Sequence, residues 1–581
     1  MVDVYIDLLN KFESDGVEWL QIDEPILVTD LTEDDIIQFE KAYKKLLDKK
    51  INTKILLQTY FGDVRDIYRT LIELDFDGIG LDFVEGTKNL NLIEKHIFPK
   101  NKLLVAGIVN GKNIWKNDYK KSIEIIKTLE TLIKPDNICI STSCSLLHVP
   151  HTLRIEVNMN EEYKESLAFA EEKLDELMDL KRLDIDPKYR ETDIYTINQE
   201  VLKRKSINFL CYNTEIRLNV ENLKEKDFIR QDKFEERNRT QRQILKLPIL
   251  PTTTIGSFPQ TSEIRKFRQQ LRKGEIAQDE YDNKIREKIT EIIRFQEKIG
   301  LDVLVHGEYE RNDMVEYFGQ QLEGFLFTQN GWVQSYGTRG VKPPVIYGDV
   351  KRREPMTVKW IKYAQEQTTK IVKGMLTGPI TILNWSFPRE DLQLREIAYQ
   401  IGLAISEEVL DLEKIGIKII QIDEAALREK LPLRKQDWQK DYLNWAIPAF
   451  RLTTSKVKLE TQIHTHMCYS EFSDIIKEIE DMDTDVISIE AARSDFSLLD
   501  ILKKNNFKTE IGPGVYDIHS PRIPSQIELE QLINTIMNKL DVNKLWINPD
   551  CGLKTRGMKE TKQSLINMVN AAKAIRMYLK K

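Results

Sequence analysis

One short string occurs twice in this chain, once in each half: Gln21-Ile-Asp-Glu-Pro-Ile-Leu27 and Gln421-Ile-Asp-Glu-Ala-Ala-Leu427. A string repeated so far apart points to a duplicated unit, so one pattern of elements has to serve twice. The likeness runs on past the string. A shift of 408 residues pairs Asp66-Ile67 with Asp474-Ile475, Asp82 with Glu490, Gln58 with His466 and Tyr60 with Cys468. A shift of 407 pairs Gly107 with Gly514 and Cys144 with Cys551. In the second copy the string follows three earlier strands, whereas in the first it begins at residue 21. The first copy is therefore expected to lack its opening strands.

Periodicity predicts the elements inside each copy. In residues 1–150, helical stretches (Asp3–Ser14, Asp34–Lys49, Val64–Leu74, Asn89–His96, Tyr119–Ile133) alternate with short apolar strands. The strands are Val17–Ile22, Lys54–Tyr60, Gly78–Asp82, Leu103–Val109 and Asn137–Ser143. This alternation predicts an α/β fold with parallel strands. Five strands do not close a barrel of eight, so 1–150 is expected to be a partial barrel. Residues 151–246 are charged and helical and read as a long connector. It ends in Arg237-Asn-Arg-Thr-Gln-Arg-Gln-Ile-Leu-Lys246, whose charges are expected to face solvent. Residues 247–581 predict eight strands, at 252–255, 301–305, 372–376, 417–422, 462–466, 485–489, 509–512 and 545–547. Helical segments separate most of them. That pattern suits a complete (β/α)8 barrel of the TIM type, with Phe325–Val350 as an inserted hairpin and loop.

Composition narrows the function classes. A net charge of −7 and a pI near 5.8 give no bulk attraction to nucleic acid or acidic lipid. Five cysteines, an odd number widely spaced, argue against a secreted disulfide framework. The opening Met-Val-Asp-Val-Tyr-Ile-Asp has neither a basic nor an apolar targeting region. No run approaches the roughly 18 apolar residues of a membrane span. The expectation is a cytoplasmic, monomeric protein that binds neither nucleic acid nor membrane.

Three strands of the second copy end in metal-ligating residue types. Thr461-Gln-Ile-His-Thr-His-Met-Cys468 reads as a strand, and His466 and Cys468, two apart, share a face. Asp485-Val-Ile-Ser-Ile-Glu490 ends in a carboxylate and Leu545-Trp-Ile-Asn-Pro-Asp-Cys551 in a thiol. Two sulfurs, one nitrogen and one oxygen suit a tetrahedral zinc, and the thiolates argue against magnesium or calcium. Read singly, these are also ordinary core residues, and Glu490 could pair with an arginine such as Arg493. Chemistry in barrels sits at the C-terminal ends of the strands. Here that rim carries Ser257, Glu308, Asp423, His466, Cys468, Glu490, His519 and Cys551. The matching residues of the first copy, Gln58, Tyr60, Asp82 and Cys144, are a poor zinc set. The second copy is thus expected to do chemistry and the first to support it.

The motifs themselves are familiar. Pro251-Thr-Thr-Thr-Ile-Gly-Ser-Phe-Pro-Gln-Thr261, His306-Gly-Glu, Arg311-Asn-Asp-Met-Val-Glu-Tyr-Phe and Gln329-Asn-Gly-Trp-Val-Gln-Ser-Tyr-Gly resemble cobalamin-independent methionine synthase. So do His464-Thr-His-Met-Cys, Gly512-Pro-Gly-Val-Tyr-Asp-Ile-His-Ser and Asn548-Pro-Asp-Cys-Gly-Leu-Lys-Thr-Arg. The resemblance covers essentially the whole chain and is densest in the second half. It implies a pair of (β/α)8 barrels and a zinc-dependent passage of methyl from 5-methyltetrahydropteroyl-polyglutamate to homocysteine, giving methionine.

The resemblance also implies roles for individual residues. His466, Cys468, Glu490 and Cys551 match the zinc ligands. The homocysteine sulfur then adds as a fifth ligand or displaces one, Glu490 being the only hard oxygen donor. Ile255, Gly256 and Ser257, with Glu308 and Asp423, match the positions that hold the homocysteine amino and carboxylate groups. Arg339, Gly340, Trp385 and Glu429, again with Asp423, match folate contacts, and His519 matches the proton donor. Ala425 stands where proline is usual, Asn384 where cysteine is common, and Ser470 in place of a second cysteine. The family's basic N-terminal segment, which contacts the polyglutamate tail, has no counterpart before Met1, so the chain is expected to be N-terminally shortened. Two other functions stay open: a homocysteine methyltransferase with a methylated corrinoid donor, and a non-catalytic zinc-thiolate relic.

Overall fold

The computed structural model describes residues 2–207, 211–335, 337–468, 473–492 and 497–580. Two parallel sheets carry an α/β architecture. The first holds β1 (Trp19–Asp23), β2 (Lys54–Gln58), β3 (Gly78–Asp82), β4 (Leu103–Val109) and β5 (Ile138–Thr142), hydrogen-bonded in that order. Helices Glu33–Leu47, Tyr68–Glu73, Asn89–His96 and Tyr119–Leu132 cross between consecutive strands, because parallel neighbours require a crossover back to the same end. Side-chain caps start two of them: Thr32 accepts from Asp35 N–H, and Asp118 from Lys120 and Lys121 N–H. The result is a half-barrel sheet, with β1 and β5 each paired on one side among the described residues.

The second half contains β6 (Val303–Val305), β7 (Leu322–Leu326), β8 (Val333–Gln334), β9 (Gly340–Val341) and β10 (Val345–Arg352). These are followed by β11 (Ile371–Thr377), β12 (Ile419–Asp423), β13 (Gln462–Met467), β14 (Val486–Ile489) and β15 (Glu510–Pro513). A parallel sheet runs β15-β14-β13-β12-β11-β6. Its two edges are joined through two more segments. Leu545 bridges Ile511 and Ile547 bridges Thr252, both in parallel, while Val303 N–H donates to the Thr252 carbonyl at 3.1 Å. The strands expected at 252–255 and 545–547 are thus single bridges rather than ladders. Pro251 and Pro549 flank them and cannot donate to a ladder. The pairs β7–β10 and β8–β9 are antiparallel, the hairpins expected of the Phe325–Val350 insertion.

The repeat is visible in the register. Asp23 lies opposite Gln58 and Asp423 opposite His466; Gln58 lies opposite Gly80 and His466 opposite Ser488. Each half has its own apolar core, one built around Ile55, Leu57, Leu81 and Leu104 and the other around Val305, Met375, Ile422 and Ile463. The halves meet through the loop after β12. Arg434 is salt-bridged to Asp66 and donates to the Asp63 carbonyl at 3.0 Å, and Arg65 reaches Asp437 at 3.0 Å.

The basic run of the connector exposes Arg239, Arg242 and Lys246 as expected and departs from expectation at Arg237. It lies in the helix Phe234–Leu245, whose Arg237 is only 1% exposed. Arg237, Gln241 and Leu245 are spaced four apart and so share one face. Leu245 packs with Val303, Ile419, Val486 and Trp546. Arg237 Nε donates to Asp485 Oδ1 at 2.8 Å, and Arg230 to Oδ2 at 2.9 Å. A buried carboxylate just before β14 needs cations there, and that need outweighs the solvation of the arginines. Asp485→Asn removes the charge shared by two buried guanidinium groups, leaving Arg230 without its carboxylate and Arg237 with Asp483 alone, and is expected to cost about 3–5 kcal/mol. Thermal unfolding checks it; an unchanged midpoint would show the cluster to be energetically idle.

Candidate active site

His466 is the next-to-last residue of β13, Cys468 follows the strand, Glu490 follows β14, and Cys551 follows the bridge at Ile547. One ligand atom from each of the four lies within 4.8 Å of the other three. The two sulfurs are 3.5 Å apart. That is far beyond a disulfide bond of about 2.05 Å. It is near the roughly 3.8 Å between two thiolates on a tetrahedral centre with bonds of about 2.3 Å.

His466 supplies a second test of fit. Its Nδ1 is 3.0 Å from Ser488 Oγ, which itself donates to the Thr465 carbonyl at 3.3 Å. Having spent its proton there, Ser488 accepts from Nδ1–H, which leaves Nε2 as the ring atom available to a metal. Nε2 is buried and has no hydrogen-bond partner among the described residues. An orphaned imidazole nitrogen beside two sulfurs and a carboxylate fits a borderline-soft metal ion. The sulfurs are polarised against each other. Contact with Cys468 holds the Cys551 thiol well below its usual range, His466 and Lys554 adding to it against burial. The same contact, with burial, holds Cys468 well above. Metal binding to such a set releases protons.

A second group gathers beside this quartet. A Cβ on Gly256 would come within 2.4 Å of Glu308 Oε1. Glycine is what allows the carboxylate to lie against the Ile255–Ser257 turn. Glu308 itself adopts a left-handed φ of 59°, a strain of about 1–3 kcal/mol for a side-chain-bearing residue and common at binding sites. Ser257 bridges Gly307 in parallel. Burial pushes the Asp423 carboxyl up to about 7, with Glu308 adding to the rise and His466 opposing it. Ile255, Gly256, Ser257, Glu308 and Asp423 are therefore brought together, and Asp423 sits across from His466.

Sequence alone does not single out several residues that support this site. Lys373 is 1% exposed inside β11, donates to the Thr254 carbonyl at 3.0 Å and bonds Gln421. Burial lowers it to about 7, against Asp423 and Glu308. Gln421 in turn donates to Asp423 Oδ1 at 2.7 Å and the Ile255 carbonyl at 2.9 Å. The available signal was a lone lysine in an otherwise apolar strand. Asp550 accepts from Ala491 N–H at 3.1 Å, and a Cβ on Gly514 would come within 1.7 Å of its Oδ1. It thus ties the segment of Glu490 to that of Cys551.

The remaining expected residues make contacts of their own. Trp385 Nε1 donates to Glu429 Oε2 at 2.9 Å. Gly340 opens β9 on the inserted hairpin, and Arg339 beside it makes its ionic contact elsewhere, 3.8 Å from Asp313. His519 Nδ1 is 2.9 Å from Asp517 Oδ1, and Asp517 is close enough to Asp550 to influence its charge. Asn384 donates to the Tyr442 hydroxyl at 3.2 Å. Arg493, Ser470 and the Tyr336 of the Gln329–Gly337 motif lie outside the described residues.

Comparison with known proteins gives one answer. Residues 250–574 match the family model described as the catalytic domain of cobalamin-independent synthase. Residues 1–134 match the model described as its N-terminal domain. A 5-methyltetrahydropteroyltriglutamate–homocysteine methyltransferase of Lactococcus lactis subsp. lactis is 57% identical over 569 residues, covering 98% of this chain and 74% of that protein. A protein of the same name from Campylobacter jejuni is 57% identical over 579 residues, covering 100% of this chain and 76% of that protein. A solved B12-independent methionine synthase of Shewanella sp., in complex with selenomethionine, aligns at 20% identity and a TM-score of 0.47. It covers 57% of this chain and 99% of its own, a likeness too slight to carry weight. The matches to both family models and the near full-length identity agree: this chain belongs to the cobalamin-independent methionine synthase family.

Proposed function

We propose that this chain transfers a methyl group from 5-methyltetrahydropteroyl-polyglutamate to the thiol of homocysteine, forming methionine without cobalamin. The observation that carries this reading is the convergence of His466, Cys468, Glu490 and Cys551 within 4.8 Å, beside the Glu308–Asp423 pocket. These four would hold zinc. Bound there, zinc would ionise a substrate thiol, ordinarily of pKa about 8.5, at neutral pH.

The chain's own residues account for the rest. Glu308 and Asp423 accept hydrogen bonds from the amino acid's ammonium, and the Ile255–Gly256–Ser257 turn offers N–H groups to its carboxylate. Trp385, held by Glu429, stacks on the pterin, with Arg339 and Gly340 as further contacts. As the methyl moves from N5 to sulfur, the electron pair of the broken N–C bond stays on N5. His519, oriented by Asp517, holds the proton that N5 takes up. We read residues 247–581 as a closed (β/α)8 barrel, 1–150 as a partial barrel without a metal site, and 151–246 as the helical connector. The edge bridges at Thr252, Ile511, Leu545 and Ile547 support the closure. A cytoplasmic setting suits the reading, since none of the five cysteines is in a disulfide and the ligating thiols need to stay reduced for metal. No helix among the described residues is long and apolar enough to cross a membrane.

The test is methionine formation by the zinc-loaded chain from homocysteine and the triglutamate donor, with methylcobalamin as a parallel donor. Turnover with the folate supports the reading; methylcobalamin alone would favour a corrinoid donor; neither would leave a non-catalytic protein. Glu308→Gln removes one charged acceptor from the ammonium. It is expected to raise the homocysteine KM about 10- to 100-fold and leave the folate KM unchanged. Steady-state kinetics with each substrate varied checks this.

A further inference from the structure

Glu424, the last member of the repeated Gln-Ile-Asp-Glu string, has no part in the chemistry above. It follows Asp423 at the end of β12 and is 1% exposed. Its carboxylate is committed to the neighbouring helix, Pro379–Asn384. Oε1 accepts from Ile380 N–H at 3.1 Å, and Oε2 accepts from both Thr381 N–H and Thr381 Oγ–H at 2.8 Å. These N–H groups belong to the first turn, where backbone donors have no partner within the helix. A Cβ on Gly378 would lie 2.3 Å from Glu424 Cδ, so glycine is what admits the carboxylate. The same short helix ends at Trp385, its C-terminal cap.

Three further links, made of four hydrogen bonds, tie the segment after β12 to this helix. Ala426 N–H donates to Thr381 Oγ at 3.3 Å. Asn384 donates to the Tyr442 hydroxyl at 3.2 Å, which donates to the Leu427 carbonyl at 2.8 Å. Trp385 Nε1 donates to Glu429 at 2.9 Å. Loop and helix form one hydrogen-bonded block with Asp423 at one end and Trp385 at the other. In the first half the matching Glu24 instead takes a hydrogen bond from Tyr43, so the two copies of the string use this carboxylate differently.

We propose that Glu424 is a positioning residue that fixes the Trp385 indole relative to Asp423, coupling the platform for the methyl donor to the pocket for the acceptor amino acid. The coupling rests on the function proposed above. Glu424→Gln keeps the shape but turns an amide N–H₂ towards the helix donors, opposing donor to donor.

The test uses the zinc-loaded full chain. In Glu424→Gln the folate KM is expected to rise about tenfold, with the homocysteine KM within about twofold of wild type and the zinc content unchanged. An unchanged folate KM, or an equal rise in both KM values, would overturn the proposal. Thr381→Val, which deletes the hydroxyl's hydrogen bond to Glu424 and the one it accepts from Ala426 N–H, is expected to raise the folate KM about threefold. It decides the question in the same way should Glu424→Gln yield no folded protein. Absence of turnover in the wild-type chain would count against the function alone. The emission of Trp385, isolated by subtracting the Trp385→Phe spectrum, then decides the positioning: a shift in Glu424→Gln supports it, and an identical spectrum overturns it.

Discussion

Cys551→Ser and His466→Ala are each expected to lose metal and turnover together. Bound zinc should fall below about a tenth of an equivalent after dialysis, and kcat/KM by about 10³-fold or more. Removing an outer-shell partner of a metal ligand already costs about 10- to 100-fold, and these substitutions remove ligands themselves. A serine hydroxyl at 551 is a hard, protonated oxygen where a soft thiolate stood. An alanine at 466 deletes the nitrogen that Ser488 orients. Metal analysis paired with turnover on the same preparation checks the result. Retained turnover in metal-free protein would remove the metal from the mechanism.

His519→Asn separates chemistry from metal binding. It is expected to slow methyl transfer by about 10²- to 10⁴-fold, the range for a lost general acid, with zinc content unchanged. The leaving nitrogen of the donor departs poorly unless it gains a proton as the N–C bond breaks. The surroundings of His519 suit it to deliver that proton. Its Nδ1 lies against Asp517 at 2.9 Å, which fixes the ring and directs Nε2 elsewhere. Asparagine occupies similar space but supplies no titratable nitrogen. Single-turnover rates beside metal content check the prediction. A loss of zinc in this variant would show that His519 supports the metal rather than the leaving group.

The strand ends were legible in the sequence because alternation of side chains has no freedom on a strand. His466 and Cys468, two apart, had to share a face, and they do join one cluster with Glu490 and Cys551. The repeat was equally legible, since cross-strand register reproduces it residue for residue at Gln58 and His466. What escaped was everything set by tertiary context. Lys373, Gln421 and Asp550 support the site through hydrogen bonds to segments remote in sequence. No periodicity records such partners. One charge of the connector escaped for a related reason: charge density suggested solvent for the whole run, whereas a carboxylate 248 residues away drew Arg237 inward. The strands at Thr252 and Ile547 read as ladders because propensity ignores the prolines beside them.

The central claim is that four side chains from three strand ends share one ion. X-ray absorption at the zinc edge of the purified, zinc-loaded chain tests it most directly. The account predicts one zinc per chain, with two sulfurs at about 2.3 Å and two nitrogen or oxygen neighbours at about 2.0–2.2 Å. A first shell without sulfur, or a chain that takes up no zinc at all, would contradict it.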